Sequence, residues 1–170
     1  RDQFIEFATA GLPEQPANVG DIKKINRRGP RPLGEVRPRP IMIQESIPYF
    51  QSGAALLDLR PKSEFKAEHI PGSVHLELDD QLSNRIGFTL PPETPVILFL
   101  GDATRPDLDA GYRRAVYALA RVGFEQVVGY LAEGLDVWGA YGLPLTSGDV
   151  QDITPAELDR MARESERSAC

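Results

Sequence analysis

Cysteine is almost missing from this 170-residue sequence, since its single copy, Cys170, is the last residue. One cysteine cannot form a disulfide within the chain, which excludes the small secreted domains that disulfides hold together. Histidine is also scarce, with only His69 and His75. Two histidines need further ligands in a fixed geometry to hold a metal, so we expect both to satisfy local polar groups instead.

Long apolar runs and signal-peptide patterns are missing as well. We therefore expect a soluble, cytoplasmic protein that contacts no membrane. The formal net charge of -6 disfavours general nucleic-acid binding. A basic cluster at residues 23–39 contains no aromatic residues, which favours a solvated connector that packs on an acidic neighbour; a nucleic-acid or anionic surface is the alternative.

Proline and helical patterns divide the chain into three parts. Residues 1–40 contain a predicted amphipathic helix at 2–10 and a proline-rich linker with one or two helical turns at 21–26. Residues 41–147 form the main domain. Residues 148–170 contain a linker and a helix start at Thr154, with Pro155 and Glu157 in capping positions. Because the chain begins at Arg1, we expect it to be a piece of a longer protein.

Short apolar segments alternate with helical patterns throughout the main domain. The predicted strands cover residues 41–43, 55–59, 74–78, 96–100 and 126–128, the last extending towards 131. The predicted helices cover residues 44–51, 62–68, 79–85, 108–122 and 134–141, with Pro48 in the first turn of its helix and a loop at 87–93. This order predicts an α/β fold with a central five-stranded, mostly parallel sheet and helices on both faces.

The loop after the apolar run at residues 96–100 is where the function should be visible. In open α/β sheets, ligands and catalytic groups lie at the carboxyl ends of the strands. This loop holds no cysteine, serine or histidine and no glycine-rich phosphate cradle. Its members are Leu100, Gly101, Asp102, Ala103, Thr104, Arg105 and Pro106.

Several short motifs, taken together, resemble a rhodanese-like domain over residues 41–145. They are Asp58-Leu59-Arg60, Glu64-Phe65, His69-Ile70-Pro71-Gly72-Ser73, Ala120-Arg121-Val122-Gly123-Phe124, Leu131-Ala132-Glu133-Gly134, Trp138 and Gly142-Leu143-Pro144. The resemblance implies that active members carry a cysteine at the end of the central strand, where inward-facing amides stabilise a thiolate and then a persulfide. Alignment on that strand places Leu100 at the cysteine position, so the loop is interpreted as degenerate and no catalytic residue is assigned.

The resemblance also implies structural roles for six residues. Asp58 and Arg60 are expected to form an ion pair that ties loops together, although an acid/base role is the alternative. Trp138 is expected in the core with its N–H bonded to a loop carbonyl. His69, Gly72 and Gly134 complete this structural set.

The acidic residues of the loop region allow two interpretations. Asp102, Asp107 and Asp109 suit a site for a hard cation such as Mg²⁺. Acidic residues are also favoured in the first turn of a helix, and we prefer this second interpretation.

The flanks resemble parts of a fusion protein of the persulfide dioxygenase type. Residues 1–33 are similar to the end of a metallo-β-lactamase-fold domain and its linker, and residues 152–158 to the opening of a second rhodanese unit. The resemblance implies iron or zinc only in that N-terminal domain, no cofactor or metal in this chain, and a parent that is a metal-dependent hydrolase or dioxygenase acting on glutathione persulfide.

Two functions follow as hypotheses. The first is a catalytically inactive domain that scaffolds a sulfur-metabolising protein, with other domains of the same chain as partners and a homo-oligomer left open. The second is a sulfurtransferase-related or ligand-binding domain that uses Asp102, Arg105 and Asp107 to bind a cationic or phosphorylated group.

Overall fold

The structure is a computed structural model that describes residues 19–28 and 34–148. The helices predicted at 2–10 and after Thr154 lie outside the described residues, as does most of the flanking parts. Within the described residues, helix α1 covers Val19–Arg28, which is longer than the one or two turns predicted at 21–26. No described helix combines the length and the apolar character needed to cross a membrane.

Strands and helices alternate through the main domain. The strands are β1 (Pro40–Ile41), β2 (Ala55–Asp58), β3 (Val74–His75), β4 (Val96–Phe99) and β5 (Val127–Leu131). The helices that follow them are α2 (Ile43–Gln51), α3 (Lys62–Ala67), α4 (Leu82–Thr89), α5 (Leu108–Ala120) and α6 (Leu135–Ala140). The predicted α/β fold with a five-stranded sheet is confirmed.

The sheet has the strand order β1-β5-β4-β2-β3, and every pairing is parallel. The predicted, mostly parallel sheet is therefore confirmed, and in the structure all of its pairings are parallel. Strand β4 lies in the centre, where Leu98 pairs with Leu57 on one side and with Tyr130 on the other. All four residues of β4 are buried, as an unbroken apolar strand in a parallel sheet should be.

Alternate residues of the central strands point to opposite faces of the sheet. Leu57, Leu98 and Leu100 belong to one core cluster, together with residues of α4 and α5. Leu56 and Phe99 belong to a second cluster, together with residues of α2 and α6. Helices therefore cover both faces, and the position of Leu100 in this alternation directs its side chain towards α5.

The first strand and helix differ from the prediction. The strand predicted at 41–43 is Pro40–Ile41, and Ile43 starts the helix because its N–H donates to Glu133 Oε2 at 2.6 Å. Pro48, predicted in the first turn, lies in the second turn of α2. Gln44 and Pro48 are both exposed, so water can bond the carbonyl that Pro48 leaves without a donor.

The region after β2 also differs. The strand predicted at 74–78 covers only Val74–His75, although Leu76 and Leu78 still donate to the carbonyls of Asp58 and Leu59. The loop predicted at 87–93 begins later, because α4 runs to Thr89. Gly87 is buried within α4, which shows that packing outweighs the weak helix propensity of glycine at this position.

Candidate functional site

Leu100, the residue predicted at the key position, is part of the core. It follows the last residue of β4 and is 7% exposed. Its Cδ2 atom lies 3.6 Å from the position that a Cβ would take on Gly111 of α5. The tip of the central strand therefore presents a packed hydrocarbon side chain to the helix that covers it.

The loop after Leu100 uses some of its own hydrogen-bond donors. The Thr104 N–H donates to Asp102 Oδ1 at 2.7 Å, and the Arg105 N–H donates to the Asp102 carbonyl at 3.1 Å. Pro106 has no N–H. The hydrogen bond from the Thr104 backbone, helped by one from its side chain, lowers the pKa of Asp102 below its ordinary value of 3.8.

Arg105 folds back over the start of the loop. A Cβ on Gly101 would lie 3.0 Å from Arg105 Cδ and 3.1 Å from Arg105 Nη1. The guanidinium lies 3.4 Å from Glu64 Oε2 and 3.7 Å from Asp107 Oδ1. Of the three loop residues in the second hypothesis, the structure thus brings Arg105 and Asp107 together, whereas Asp102 bonds Thr104.

The acidic residues near the start of α5, within the described structure, do not form a common metal site. Asp107 is the N-cap residue of α5 but makes no capping hydrogen bond with its side chain, and Asp109 lies in the first turn. Across the described residues, no group of three or more histidine, cysteine, aspartate or glutamate side chains is arranged to hold a metal ion.

Asp58 and Arg60 form a buried ion pair at the end of β2. Arg60 Nη2 donates to Asp58 Oδ2 at 2.7 Å, and Nε donates to Oδ1 at 3.0 Å. Nη2 also donates to the Glu68 carbonyl at 2.9 Å, which joins β2 to the end of α3. The guanidinium carbon lies 4.7 Å from the centre of the Phe99 ring, a cation–π distance.

The two histidines enclose Phe65. The His69 and His75 rings stack on it with centroid distances of 4.0 and 4.4 Å. His69 Nδ1 lies 2.9 Å from the Phe65 carbonyl, and His75 Nε2 lies 2.9 Å from the Arg60 carbonyl. Because a carbonyl only accepts, each of these nitrogens must carry a hydrogen. Both rings therefore engage the backbone in the described structure.

The remaining predicted residues occupy turns and the core. Gly72 has φ +78, as residue three of a turn that begins at Ile70 and follows Pro71. A Cβ on Gly134 would lie 2.7 Å from Asp136 Oδ1, so a larger residue there would make the Asp136 side chain move. Trp138 is 7% exposed. Its Nε1 donates to the Pro144 carbonyl at 3.0 Å, the type of bond that was predicted.

Two cavities lie on either side of Arg105, and Arg60 and Arg105 line both of them. The first has a volume of about 330 Å³ and is lined by leucines and the start of α5. The second, of about 350 Å³, is lined by three carboxylates: Glu64, Asp102 and Asp136.

The roles of three residues in this site were not predicted from the sequence: those of Glu64, Phe99 and Gly111. The contacts of Glu64 with Arg105 and of Phe99 with Arg60 depend on tertiary packing, for which the sequence gives no local signal. Gly111 did leave a signal, because an isolated glycine inside a strongly periodic helix often has a packing reason.

The sequence profile of the family described as the rhodanese-like domain matches residues 48–141, more than half of the chain. YibN of Escherichia coli (strain K12), described as uncharacterized, is 32% identical over 96 residues, which are 56% of this chain and 62% of YibN. The chain thus spans less than two thirds of that relative.

Two solved structures are similar to this chain. The Alr3790 protein from Anabaena sp. is 24% identical, with a TM-score of 0.49, and the match covers 64% of this chain and 89% of that one. A metallo-beta-lactamase from Staphylococcus aureus subsp. aureus COL is 21% identical, with a TM-score of 0.55, over 77% of this chain and 34% of that chain. At 21% identity, the likeness to the metallo-beta-lactamase extends to the fold alone.

Proposed function

Since this chain belongs to the family of rhodanese-like domains, we propose that it is a catalytically silent member whose role is scaffolding. The observation that carries the proposal is the burial of Leu100 at the tip of the central strand, 7% exposed and packed towards α5. The resemblance assigns the sulfur-carrying cysteine to this position. A leucine side chain has no atom that can form a persulfide. The buried Leu100 side chain instead packs within the hydrophobic core.

The chemistry of the loop supports the same conclusion. Two of its N–H groups bond Asp102 and Pro106 offers none, so these positions give no donors to a bound anion. The lowered pKa of Asp102 keeps its exposed carboxylate ionised at neutral pH. A negative charge at this place opposes a thiolate or a persulfide, which needs a positive surrounding.

The position of Arg105 adds a steric argument. Its side chain contacts Gly101 and is 35% exposed, so it covers the start of the loop. Its charge is already shared with Glu64 and Asp107. The only cation of the loop therefore already forms ion pairs within the protein.

The scaffolding role concerns a longer parent protein. The likeness of residues 1–33 to the end of a metallo-β-lactamase-fold domain motivates it, and the fold shared with part of a staphylococcal metallo-beta-lactamase supports it. In this proposal, iron or zinc and the reaction on persulfides belong to the separate domain. The domain described here would then pack between the metal-dependent unit and a second rhodanese unit.

A thiosulfate:cyanide sulfurtransferase assay at high protein concentration tests whether the domain lacks sulfurtransferase activity. In this reaction the outer sulfur of thiosulfate passes to a thiolate and releases sulfite, and cyanide then takes the sulfur as thiocyanate. We expect no enzyme-dependent thiocyanate from the natural protein or from Cys170→Ser, which removes the only thiol. Turnover that survives Cys170→Ser would overturn the proposal.

A further inference from the structure

The cavity of about 330 Å³ has an apolar floor and a charged rim. Four leucines line the floor, namely Leu59, Leu78, Leu100 and Leu108, and we call this space the leucine cavity. Its volume lies at the small end of the range of ~300–1,000 Å³ that ligand pockets occupy. The floor therefore suits the apolar body of a small molecule.

A glycine keeps this space open. Gly111 lies on the first part of α5 and lines the cavity. A Cβ at this position would make ordinary contacts of 3.5 Å with Leu78 and 3.6 Å with Leu100. Nothing in the helix requires a glycine here, and a large side chain would fill the cavity.

The rim holds a buried cation, Arg60, whose Nη1 takes part in no described hydrogen bond. Arg60 is 7% exposed, and its described side-chain hydrogen bonds engage Nε and Nη2 but not Nη1. Within the described part of the chain, Arg60 Nη1 is not among the fully buried side-chain atoms that lack a hydrogen-bond partner. Arg60 lines the two cavities beside Arg105 and does not line the cavity near Tyr49.

Charge distinguishes the two cavities. Arg60, Arg105 and Arg114 line the leucine cavity together with the carboxylates of Glu77 and Asp107. Arg114 also pairs with the exposed Asp80 at 2.8 Å, outside the lining. The second cavity shares Arg60 and Arg105 but adds three carboxylates, which repel an anion. An anionic group is therefore favoured in the leucine cavity and disfavoured in its neighbour.

We propose that the leucine cavity binds a small amphipathic carboxylate, with its hydrocarbon body on the leucines and its carboxylate at the guanidinium rim. A guanidinium forms charge-assisted hydrogen bonds with a carboxylate, and the leucines exclude water from the rest of the ligand. This binding does not depend on catalysis, so it goes beyond the silent role and stands or falls separately from it.

Titration with sodium octanoate, below its micelle concentration, tests the site. We expect saturable shifts of the Leu100 and Gly111 amide resonances in ¹H–¹⁵N spectra. Octan-1-ol, which keeps the hydrocarbon but lacks the charge, is expected to bind about tenfold more weakly. Octylamine, which reverses the charge, should give no saturable shift at these amides.

Two pairs of variants locate the binding. Gly111→Leu should abolish the shifts, whereas Gly111→Ala should keep them because its Cβ makes only ordinary contacts. Arg114→Gln should weaken octanoate binding several-fold. Arg121→Gln is the matched control, because Arg121 is exposed at the end of α5 and does not line the cavity.

Three results would contradict the proposal. They are the lack of saturable shifts at Leu100 and Gly111, equal affinities for octanoate and octan-1-ol, and binding that persists in a folded Gly111→Leu protein. If Gly111→Leu does not fold, equal affinities of Arg114→Gln and Arg121→Gln would contradict it instead.

Discussion

The side chain of Arg105 lies directly against the backbone of Gly101, with its Cδ only 3.0 Å from where a Cβ would stand. Gly101 has φ +96, a conformation that side-chain-bearing residues rarely adopt. Arg105 therefore covers the start of the loop after the central strand, at a position where residues other than glycine are strained.

Replacing Gly101 by alanine should destabilise the protein in two ways. The positive φ costs about 1 kcal/mol, and the displacement of Arg105 from Glu64 adds about 0.5–1 kcal/mol. Gly53→Ala is the matched control, because Gly53 has φ +93 and nothing within 4 Å of its Cβ position. Urea denaturation should show the larger loss for Gly101→Ala, and the excess should vanish in an Arg105→Ala background. Equal losses for the two glycines would show that the contact carries no energy.

Neutralising Asp58 should be far more damaging than neutralising a surface partner. Asp58→Asn leaves the buried Arg60 guanidinium uncompensated, which we expect to cost about 3–5 kcal/mol of unfolding free energy. Asp79→Asn breaks the surface pair with Arg85, where Asp79 is 45% exposed, and should cost less than about 1 kcal/mol. Chemical denaturation measures both. A small effect of Asp58→Asn would contradict a structural role for the pair.

The carboxyl group of Asp102 should titrate below its ordinary pKa of 3.8, chiefly because the Thr104 backbone N–H bonds its charged form. A lowered pKa in the folded state contributes stability that is complete above the unfolded value and is lost as the pH falls through the folded value. The stability difference between the natural protein and Asp102→Asn should therefore shrink as the pH drops below about 3.8. NMR titration of the Asp102 carboxyl carbon checks the direction. Thr104→Ala keeps the backbone donor, so it should retain most of the shift.

Gly129→Ala should detach the first strand. An added Cβ would lie 2.5 Å from the Arg39 carbonyl oxygen and 2.8 Å from Ile41 Cδ1, so β1 must move away from β5. We expect a loss of about 2 kcal/mol. Hydrogen exchange should accelerate at Tyr130 and Ala132, whose N–H groups donate to Arg39 and Ile41. Gly111→Ala is the control and should be neutral or stabilising, since its Cβ has room within a helix.

Local patterns explain why much of the fold could be predicted. The unbroken apolar run at residues 96–100 and the helical spacing after Leu108 each depend only on neighbouring residues, and both elements form where expected. The boundaries that were wrong involve tertiary packing. Helix α4 continues through Gly87 because that position is buried, and a carboxylate from Glu133 starts α2 at Ile43.

The candidate site could be predicted only in part. The residue types of the loop, including Leu100 and Pro106, are visible in the sequence. The alternation of strand residues, rather than composition, directs Leu100 to the α5 face. The fold-back of Arg105 requires Glu64, which lies 41 residues earlier in the chain and becomes its neighbour only in the folded structure.

In the proposed silent role, the strand tip cannot carry sulfur because Leu100 has no thiol and the loop offers few free donors to an anion. The most direct measurement is the thiosulfate:cyanide assay of Leu100→Cys in a Cys170→Ser background, with Leu98→Cys in the same background as a buried-thiol control. We predict no thiocyanate above the Cys170→Ser protein for either variant, because the loop still bonds its donors to Asp102 and is covered by Arg105. Thiocyanate turnover by Leu100→Cys alone would show that the loop remains a working cradle and would contradict the account.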